Sequence, residues 1–177
     1  MLAITETRSM AALRESEEAC LDFEALAATE REGLIRFARG MLADAHEAED
    51  VAQEALMRLY RAWGRQRDPK AYLYKTNANL CLDHLRRRGR EIPPREFRLA
   101  REPLEVRERR EAVRRALAEL APRERAAVLL REAQGLSYRQ IAGALEASVE
   151  QITNWIHRGK LRLRKLLTPY VTRGEMR

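Results

Sequence analysis

The chain is poor in the residues that mark several common classes of protein. It has two cysteines, Cys20 and Cys81, which form neither a disulfide framework nor a metal-ligand pair. Aromatic residues make up 6% and glycines number only 8, which excludes collagen-like and glycine-rich disordered chains. No apolar run approaches the ~18 residues of a membrane span, and glutamates stand where a signal peptide has its apolar core. We therefore expect a cytoplasmic protein without membrane insertion.

Charge is abundant but unevenly placed along the chain. Residues 1–60 hold 6 basic and 13 acidic side chains, whereas residues 61–177 hold 28 basic and 14 acidic ones. Of the 34 cations 30 are arginine, whose planar guanidinium suits contacts with phosphates and bases. The acidic N-terminal part and the basic C-terminal part suggest two kinds of partner, one of them a polyanion. The alternative is that the basic residues form an ordinary solvent-exposed surface that binds no polyanion.

Apolar residues recur at spacings of three and four almost throughout, which predicts an all-α protein. One interval lacks this period and holds three prolines and five arginines, as a flexible basic linker would. The prediction is therefore two small helical domains joined by that linker. The expected parts are an N-terminal arm at 1–20, weakly helical at most, a first domain at 21–88, the linker at 89–107, a second domain at 108–170 and a tail at 171–177.

The predicted helices of the first domain cover about 21–42, 48–63 and 70–88. The first of them carries an apolar stripe of Leu34, Phe37, Ala38 and Met41. The second domain is predicted to hold four short helices, the first with Val113, Ala116, Leu117 and Leu120 on its apolar side. Its last two helices begin after the candidate N-caps Ser137 and Ser148.

The segment SYRQIAGALEASVEQITNWI (137–156) has the proportions of a helix-turn-helix. A small residue, Ala142, stands where the second helix must cross the first, and Ile152 would anchor that second helix. The opposite side of the second helix offers Asn, Gln and Arg, the usual readers of base edges. The alternative is an ordinary helical hairpin with a solvated polar face.

The chain as a whole resembles the extracytoplasmic-function (ECF) sigma factors of the sigma-70 family, from about Leu21 to Leu167. AEDVAQEALMRLYRAW (48–63) and YLYKTNANLCLDHLRRR (72–88) are similar to the two characteristic blocks of their region 2. ALAELAPRERAAVLLREAQGLSYRQIAGAL (116–145) and HRGKLRLRKLL (157–167) are similar to region 4. Two blocks in order around a proline-broken linker are far more specific than a lone helix-turn-helix.

The resemblance implies that the helix of residues 48–63 docks on core RNA polymerase, namely on the clamp helices of the β′ subunit, with β as a further contact. From the residues alone, an acidic face of this kind is more often simply solvated. The residues predicted to bind polymerase are Asp50, Gln53, Glu54 and Met57.

The resemblance implies that the helix of residues 72–88 and the loop before it melt the −10 promoter element and capture an unpaired base, as the corresponding elements of the family do. The residues predicted to bind this element are Tyr72, Lys75, Asn79, Arg86 and Arg87. Tyr72 stands where the family usually has tryptophan, and it could stack on a base or merely cover the core. The loop from Gly64 to Pro69 is shorter than in the family.

Region 4 is expected to read the −35 promoter element. The predicted contacts are Ser137, Arg139, Ser148, Glu150, Gln151, Thr153, Asn154, His157, Arg158 and Lys160. Glu146 occupies a turn position usually held by glycine, which requires either a strained backbone or a different turn. Trp155 is another departure, interpreted as a core anchor or as an exposed partner contact. These changes suggest an unusual −35 preference.

No enzymatic pattern accompanies these motifs. The three histidines are scattered, no second acidic cluster follows Asp83, and no glycine-rich phosphate loop is present. We therefore expect no catalytic residues, no metal and no cofactor. The predicted function is promoter recognition and transcription initiation with bacterial core RNA polymerase. The resemblance implies an anti-sigma factor as a further partner. The alternatives are a decoy that sequesters an anti-sigma factor and a helix-turn-helix regulator acting without polymerase.

Overall fold

The computed structural model describes the backbone of residues 2–88 and 104–171, and the side chains of residues 21–88, 106–168 and 170. Within these ranges the chain is built of helices joined by short turns, as the apolar spacing predicts. Residues 89–103 of the predicted linker (89–107) and residues 172–177 of the predicted tail (171–177) lie outside the described residues. The helices are α1 (Leu2–Leu42), α2 (Ala45–Arg61), α3 (Pro69–Arg88), α4 (Leu104–Ala118), α5 (Pro122–Glu132), α6 (Tyr138–Leu145) and α7 (Val149–Val171).

Helices α1, α2 and α3 pack against one another as the first unit. The predicted stripe of Leu34, Phe37, Ala38 and Met41 is fully buried, as expected from its i, i+3, i+4, i+7 spacing. Asn77 of α3 is also fully buried, and its Nδ2 donates to the carbonyl of Leu34 at 3.2 Å. This bond ties α3 to α1 in the middle of the core.

Helices α4 to α7 form the second unit, in which α7 packs on α4, α5 and α6. Pro122 begins α5, a position that suits its missing N–H. Gly159 lets α7 approach α5 closely, because a Cβ there would lie 2.7 Å from Cγ2 of Val128. Ile152 and Ile156 hold the apolar side of α7 in the core.

Two predicted boundaries and one predicted core residue differ from the structure. The arm and the first helix are one continuous α1, so no helix end falls at residue 21. Helix α4 begins at Leu104, inside the predicted linker, because Pro103 precedes a run of strong helix formers. Val113 is 43% exposed rather than buried, since α4 turns Ala112 and Ala116 toward the core instead.

The two units do not stand apart in the structure. Helix α6 packs against α3, and α5 packs against α1 and α3. Buried residues of both units belong to one continuous apolar cluster, which runs from Leu34 and Phe37 to Ile141 and Ile152. The sequence predicted two domains but not this shared core.

Among residues 2–88 and 104–171, no helix combines the length and apolar character that crossing a membrane requires. The same part of the chain contains no group of His, Cys, Asp and Glu side chains that could hold a metal ion.

Candidate polymerase and nucleic-acid interfaces

The candidate polymerase surface lies on α2, which is capped firmly at its start. Asp44 accepts hydrogen bonds from the backbone N–H groups of His46 and Glu47 at 3.0 and 3.1 Å. The buried side of the helix, including Ala52, Ala55 and Leu59, faces the core. Its opposite side carries the four predicted residues, of which three are exposed and one is half-buried: Asp50, Gln53, Met57 and Glu54.

Few described hydrogen bonds hold the side chains of this α2 face in place. Glu54 accepts a hydrogen bond from Nε of Arg58 at 2.7 Å, an ordinary i, i+4 pair at the surface. Met57 is 42% exposed and Tyr60, one turn further on, is 58% exposed. An exposed acidic and apolar face of this kind is suited to a protein partner.

The candidate −10 surface lies on α3. Arg86 and Arg87 are exposed near the end of that helix, and Lys75 and Asn79 are half-exposed, about two and three turns after its start. Tyr72 packs against the apolar core, which matches the core-covering alternative for its ring. A positive strip with polar groups between its cations is suited to a single strand of nucleic acid.

The helix-turn-helix forms as predicted, and both of its helices begin with reciprocal caps. Ser137 Oγ accepts from the backbone N–H of Gln140 at 3.3 Å, while Gln140 Oε1 accepts from the Ser137 N–H at 2.9 Å. Ser148 and Gln151 repeat this arrangement at 3.1 and 2.9 Å. The caps hold the start of α7 in a defined position relative to α6.

Glu146 ends α6 with a left-handed backbone, at φ 51° and ψ 51°. The strained-backbone alternative is therefore the one that the structure adopts, because a Cβ disfavours this region. The Glu146 carboxylate lies 2.9 Å from Nζ of Lys75, and this hydrogen bond holds its pKa below the usual range.

The exposed side of α7 presents the predicted −35 residues together. Residues Glu150, Gln151, Thr153, Asn154, His157, Arg158 and Lys160 are all exposed, as are Ser137, Arg139 and Ser148 nearby. Gln151, Ser137 and Ser148 also act in the caps. Trp155 is half-buried against the core, with the guanidinium of Arg123 5.5 Å from its ring centre, which favours the core-anchor interpretation.

Two cations of this surface are oriented by acids of α5. Arg158 Nε lies 3.6 Å from Glu124, and Lys160 Nζ donates to Glu132 at 3.0 Å. Both basic side chains remain more than half exposed, at 63% and 56%. They are therefore positioned at the edge of the α7 face but still open to phosphates.

Sequence reasoning missed a set of polar residues that hold the two units together. Arg125 is 3% exposed and Glu30 is 7% exposed, although both carry charge. The buried hydroxyl of Tyr74 donates to Glu30 at 2.8 Å, and burial raises the pKa of this phenol. A feature of the sequence that could have indicated this contact is the pair of glycines Gly33 and Gly40, which lie seven residues apart within one helix.

The strained turn leads to a first prediction. Replacing Glu146 by Gly should raise the melting temperature by a few degrees, because glycine adopts the left-handed region without a Cβ penalty. Glu146→Ala is the matched control, since it removes the same carboxylate but keeps the strain. Differential scanning calorimetry should rank Gly above wild type and Ala at or below it. Equal melting temperatures for Gly and Ala would show that the turn stores no strain.

Together the fold and these surfaces define an all-α DNA-binding protein in two parts, one of which carries a helix-turn-helix. Family models give the same division: residues 26–91 match sigma-70 region 2, and residues 110–163 match sigma-70 region 4. The RNA polymerase sigma-E factor of Streptomyces coelicolor is 32% identical over 83% of this chain and 86% of that protein. The RNA polymerase sigma-H factor of Pseudomonas aeruginosa is 32% identical over 77% and 79%.

The chain belongs to the ECF sigma factors of the sigma-70 family, as the motifs predicted. It is thus a transcription initiation factor that directs RNA polymerase to promoters. Solved structures share its fold. The sigma factor RpoE, in complex with the anti-sigma factor NepR from Bartonella quintana, matches with a TM-score of 0.70 and 23% identity, over 83% of this chain and 97% of that one. CnrH, in complex with the cytosolic domain of CnrY, matches at 0.65 and 24%, over 83% and 88%.

Proposed function

We propose that this sigma factor uses three separate surfaces for its partners. The exposed α2 face of Asp50, Gln53, Glu54 and Met57 docks on the β′ clamp helices, with the β subunit as a further contact. The observation that carries this assignment is the α2 face itself, an acidic and partly apolar surface left open by the fold. Residues at an interface of this kind contribute little to folding but much to binding.

The −10 element is bound by α3. Arg86 and Arg87 hold phosphates of the displaced strand, while Asn79 hydrogen-bonds a base, as the polar groups of a single-strand site do. Lys75 joins this strip when it is released from Glu146. Tyr72 contributes at the edge of the strip, where its ring covers the core.

The −35 element is read by α7 in the major groove. Asn154 and Arg158 contact base edges, and Arg139, His157 and Lys160 contact phosphates and the groove edge. Glu150, Gln151, Thr153, Ser137 and Ser148 complete the surface. Caps at both helices and the buried Ile152 and Ile156 hold it rigid, as groove recognition requires.

The chain supplies specificity, and polymerase supplies the chemistry. It therefore acts without catalytic residues or a cofactor of its own, in the cytoplasm, where core polymerase and promoter DNA are found. An anti-sigma factor is a further partner of this chain. Support comes from two structural neighbours, whose described complexes pair RpoE with NepR and CnrH with the cytosolic domain of CnrY.

The −35 assignment makes a second prediction. Asn154→Ala and Arg158→Ala should each change the preference at particular −35 bases, by about 1–3 kcal/mol for a good base contact. Binding of the full chain with core polymerase to a set of single-base −35 variants measures this preference. Arg164→Ala is the matched control, since Arg164 is exposed on α7 outside the predicted set and should weaken all sites alike. A uniform loss for Asn154→Ala and Arg158→Ala would reassign both residues to phosphates.

A further inference from the structure

Two cations of the α7 face are each paired with an acid of α5, and the two pairs differ in their surroundings. Arg158 Nε lies 3.6 Å from Glu124, whose side chain is only 14% exposed. Lys160 Nζ lies 3.0 Å from Glu132, whose side chain is 50% exposed. The first pair therefore joins a largely buried acid to an exposed cation, whereas the second lies wholly at the surface.

The packing of α5 against α7 holds Glu124 close to Arg158. Glu124 stands in the first turn of α5, which begins at Pro122. Gly159 directly follows Arg158, and a Cβ at Gly159 would lie 3.7 Å from the carbonyl oxygen of Glu124. The backbones of the two helices are thus close at this point, and the two side chains meet over a short, fixed distance.

Two arginines flank Glu124 in the sequence, and both are engaged elsewhere. Arg125 donates through its terminal nitrogens to the carbonyls of Met41 and Ala118, at 2.7 and 2.8 Å. The guanidinium of Arg123 lies 5.5 Å from the ring centre of Trp155. The described ion-pair partner of Glu124 is therefore Arg158, a residue of the −35 face.

The contacts of Arg158 involve one edge of its guanidinium. Its Nε faces Glu124 and also donates to the carbonyl of Asn154 at 3.4 Å. Among the side chains that the structure describes, no hydrogen bond or ion pair involves the two terminal nitrogens of Arg158. Two such nitrogens form the fork with which arginine binds O6 and N7 of guanine in the major groove. The pair thus holds Arg158 at one edge and leaves this fork open.

An acid beside a DNA-binding face has opposite effects on affinity and on base preference. Its negative charge weakens the attraction of nearby cations to phosphates, which supplies most of the general affinity. A freely rotating arginine would bind any phosphate, and phosphate contacts carry no sequence information. Fixing the guanidinium before binding reduces this alternative and lowers the conformational entropy that is lost when it contacts a base. Glu124 is therefore placed to favour base preference over general affinity.

The same reasoning gives Glu132 a different effect. Its partner Lys160 carries a compact ammonium group, which has no planar fork and binds phosphates as a point charge. Orienting such a group selects no base. Glu132 therefore changes only the general attraction of the α7 face to DNA, which makes it a natural control for Glu124.

We propose that Glu124 is a positioning residue that sets the base preference of Arg158, and that the preferred base is a guanine of the −35 element. Glu124 acts from α5 without touching DNA, through the guanidinium that it holds. The proposal rests on the function proposed above, in which Arg158 reads a base of that element.

Binding of the full chain with core polymerase to single-base −35 variants tests the proposal. Arg158→Ala first locates the position at which preference is lost, and guanine should be preferred there by wild type. Glu124→Gln keeps the size of the side chain but removes its charge. It should lower the guanine preference at that same position about three- to tenfold, because the fork is no longer held. Binding to the non-preferred duplexes should stay unchanged or rise. Glu132→Gln should shift binding to all duplexes alike.

The double variant Glu124→Gln, Arg158→Ala separates positioning from a role in folding. If Glu124 acts through Arg158, the double variant should have the same base preference as Arg158→Ala alone. A loss spread over several −35 positions in the Arg158→Ala background would show that Glu124 holds the helix-turn-helix together instead, and would overturn the proposal. An unchanged guanine preference in Glu124→Gln, or a preferred base other than guanine, would also overturn it. If Arg158→Ala weakens all duplexes alike, the base contact proposed for Arg158 fails, and this proposal fails with it.

Discussion

A chain with Gln53→Lys and Glu54→Lys is expected to lose core polymerase while it stays folded. Both residues lie on the open α2 face, and Glu54 contacts only Arg58 among the described hydrogen bonds. Surface changes of this kind alter stability by about 0.5 kcal/mol. Lysines facing a basic partner surface cost several kcal/mol, on the order of a thousandfold in affinity. Pull-down with core polymerase and thermal unfolding measure the two effects separately.

The control for this double variant adds the same three positive charges elsewhere. Asp22→Asn with Glu32→Lys does so on exposed positions of α1. This control should keep polymerase binding, because its charges lie outside the predicted docking face. If both double variants lose polymerase equally, bulk charge explains the effect and the α2 face is not the docking surface.

Phe37→Ala should have the largest effect on folding. Phe37 is fully buried in the cluster shared by both units, and truncation of such a ring costs about 3–5 kcal/mol. Chemical denaturation should show this loss as an earlier midpoint. Leu21→Ala is the control on the same helix, because Leu21 is 64% exposed and its truncation should change stability little. A small loss for Phe37→Ala would mean that this ring does not hold the core.

Local patterns predicted most of the helical architecture. The stripe of Leu34, Phe37, Ala38 and Met41 and the caps at Ser137 and Ser148 depend on residues within a turn or two of each other. The helical architecture of the described residues and the exposed faces of α2 and α7 follow from the same spacing. The resemblance to ECF sigma factors, confirmed by the comparisons, added the roles expected of those faces.

The contact between the units could not be predicted in this way. Arg125 looks like one of many surface arginines, and its hydrogen bond to Met41, 84 residues away, is what shows that it joins the two units. Gln134 likewise bonds Gly33 across 101 residues. Helical periodicity identifies which side of a helix is apolar, but it carries no information on which distant helix covers that side.

Run-off transcription with purified core polymerase on genomic fragments tests the central claim most directly. Added to core polymerase, the wild-type chain should produce transcripts from a small set of defined start sites. These transcripts should disappear with Gln53→Lys and Glu54→Lys but persist with the α1 control. A wild-type chain that neither binds core polymerase nor directs any specific transcript would contradict the account and favour a decoy that acts by protein contact alone.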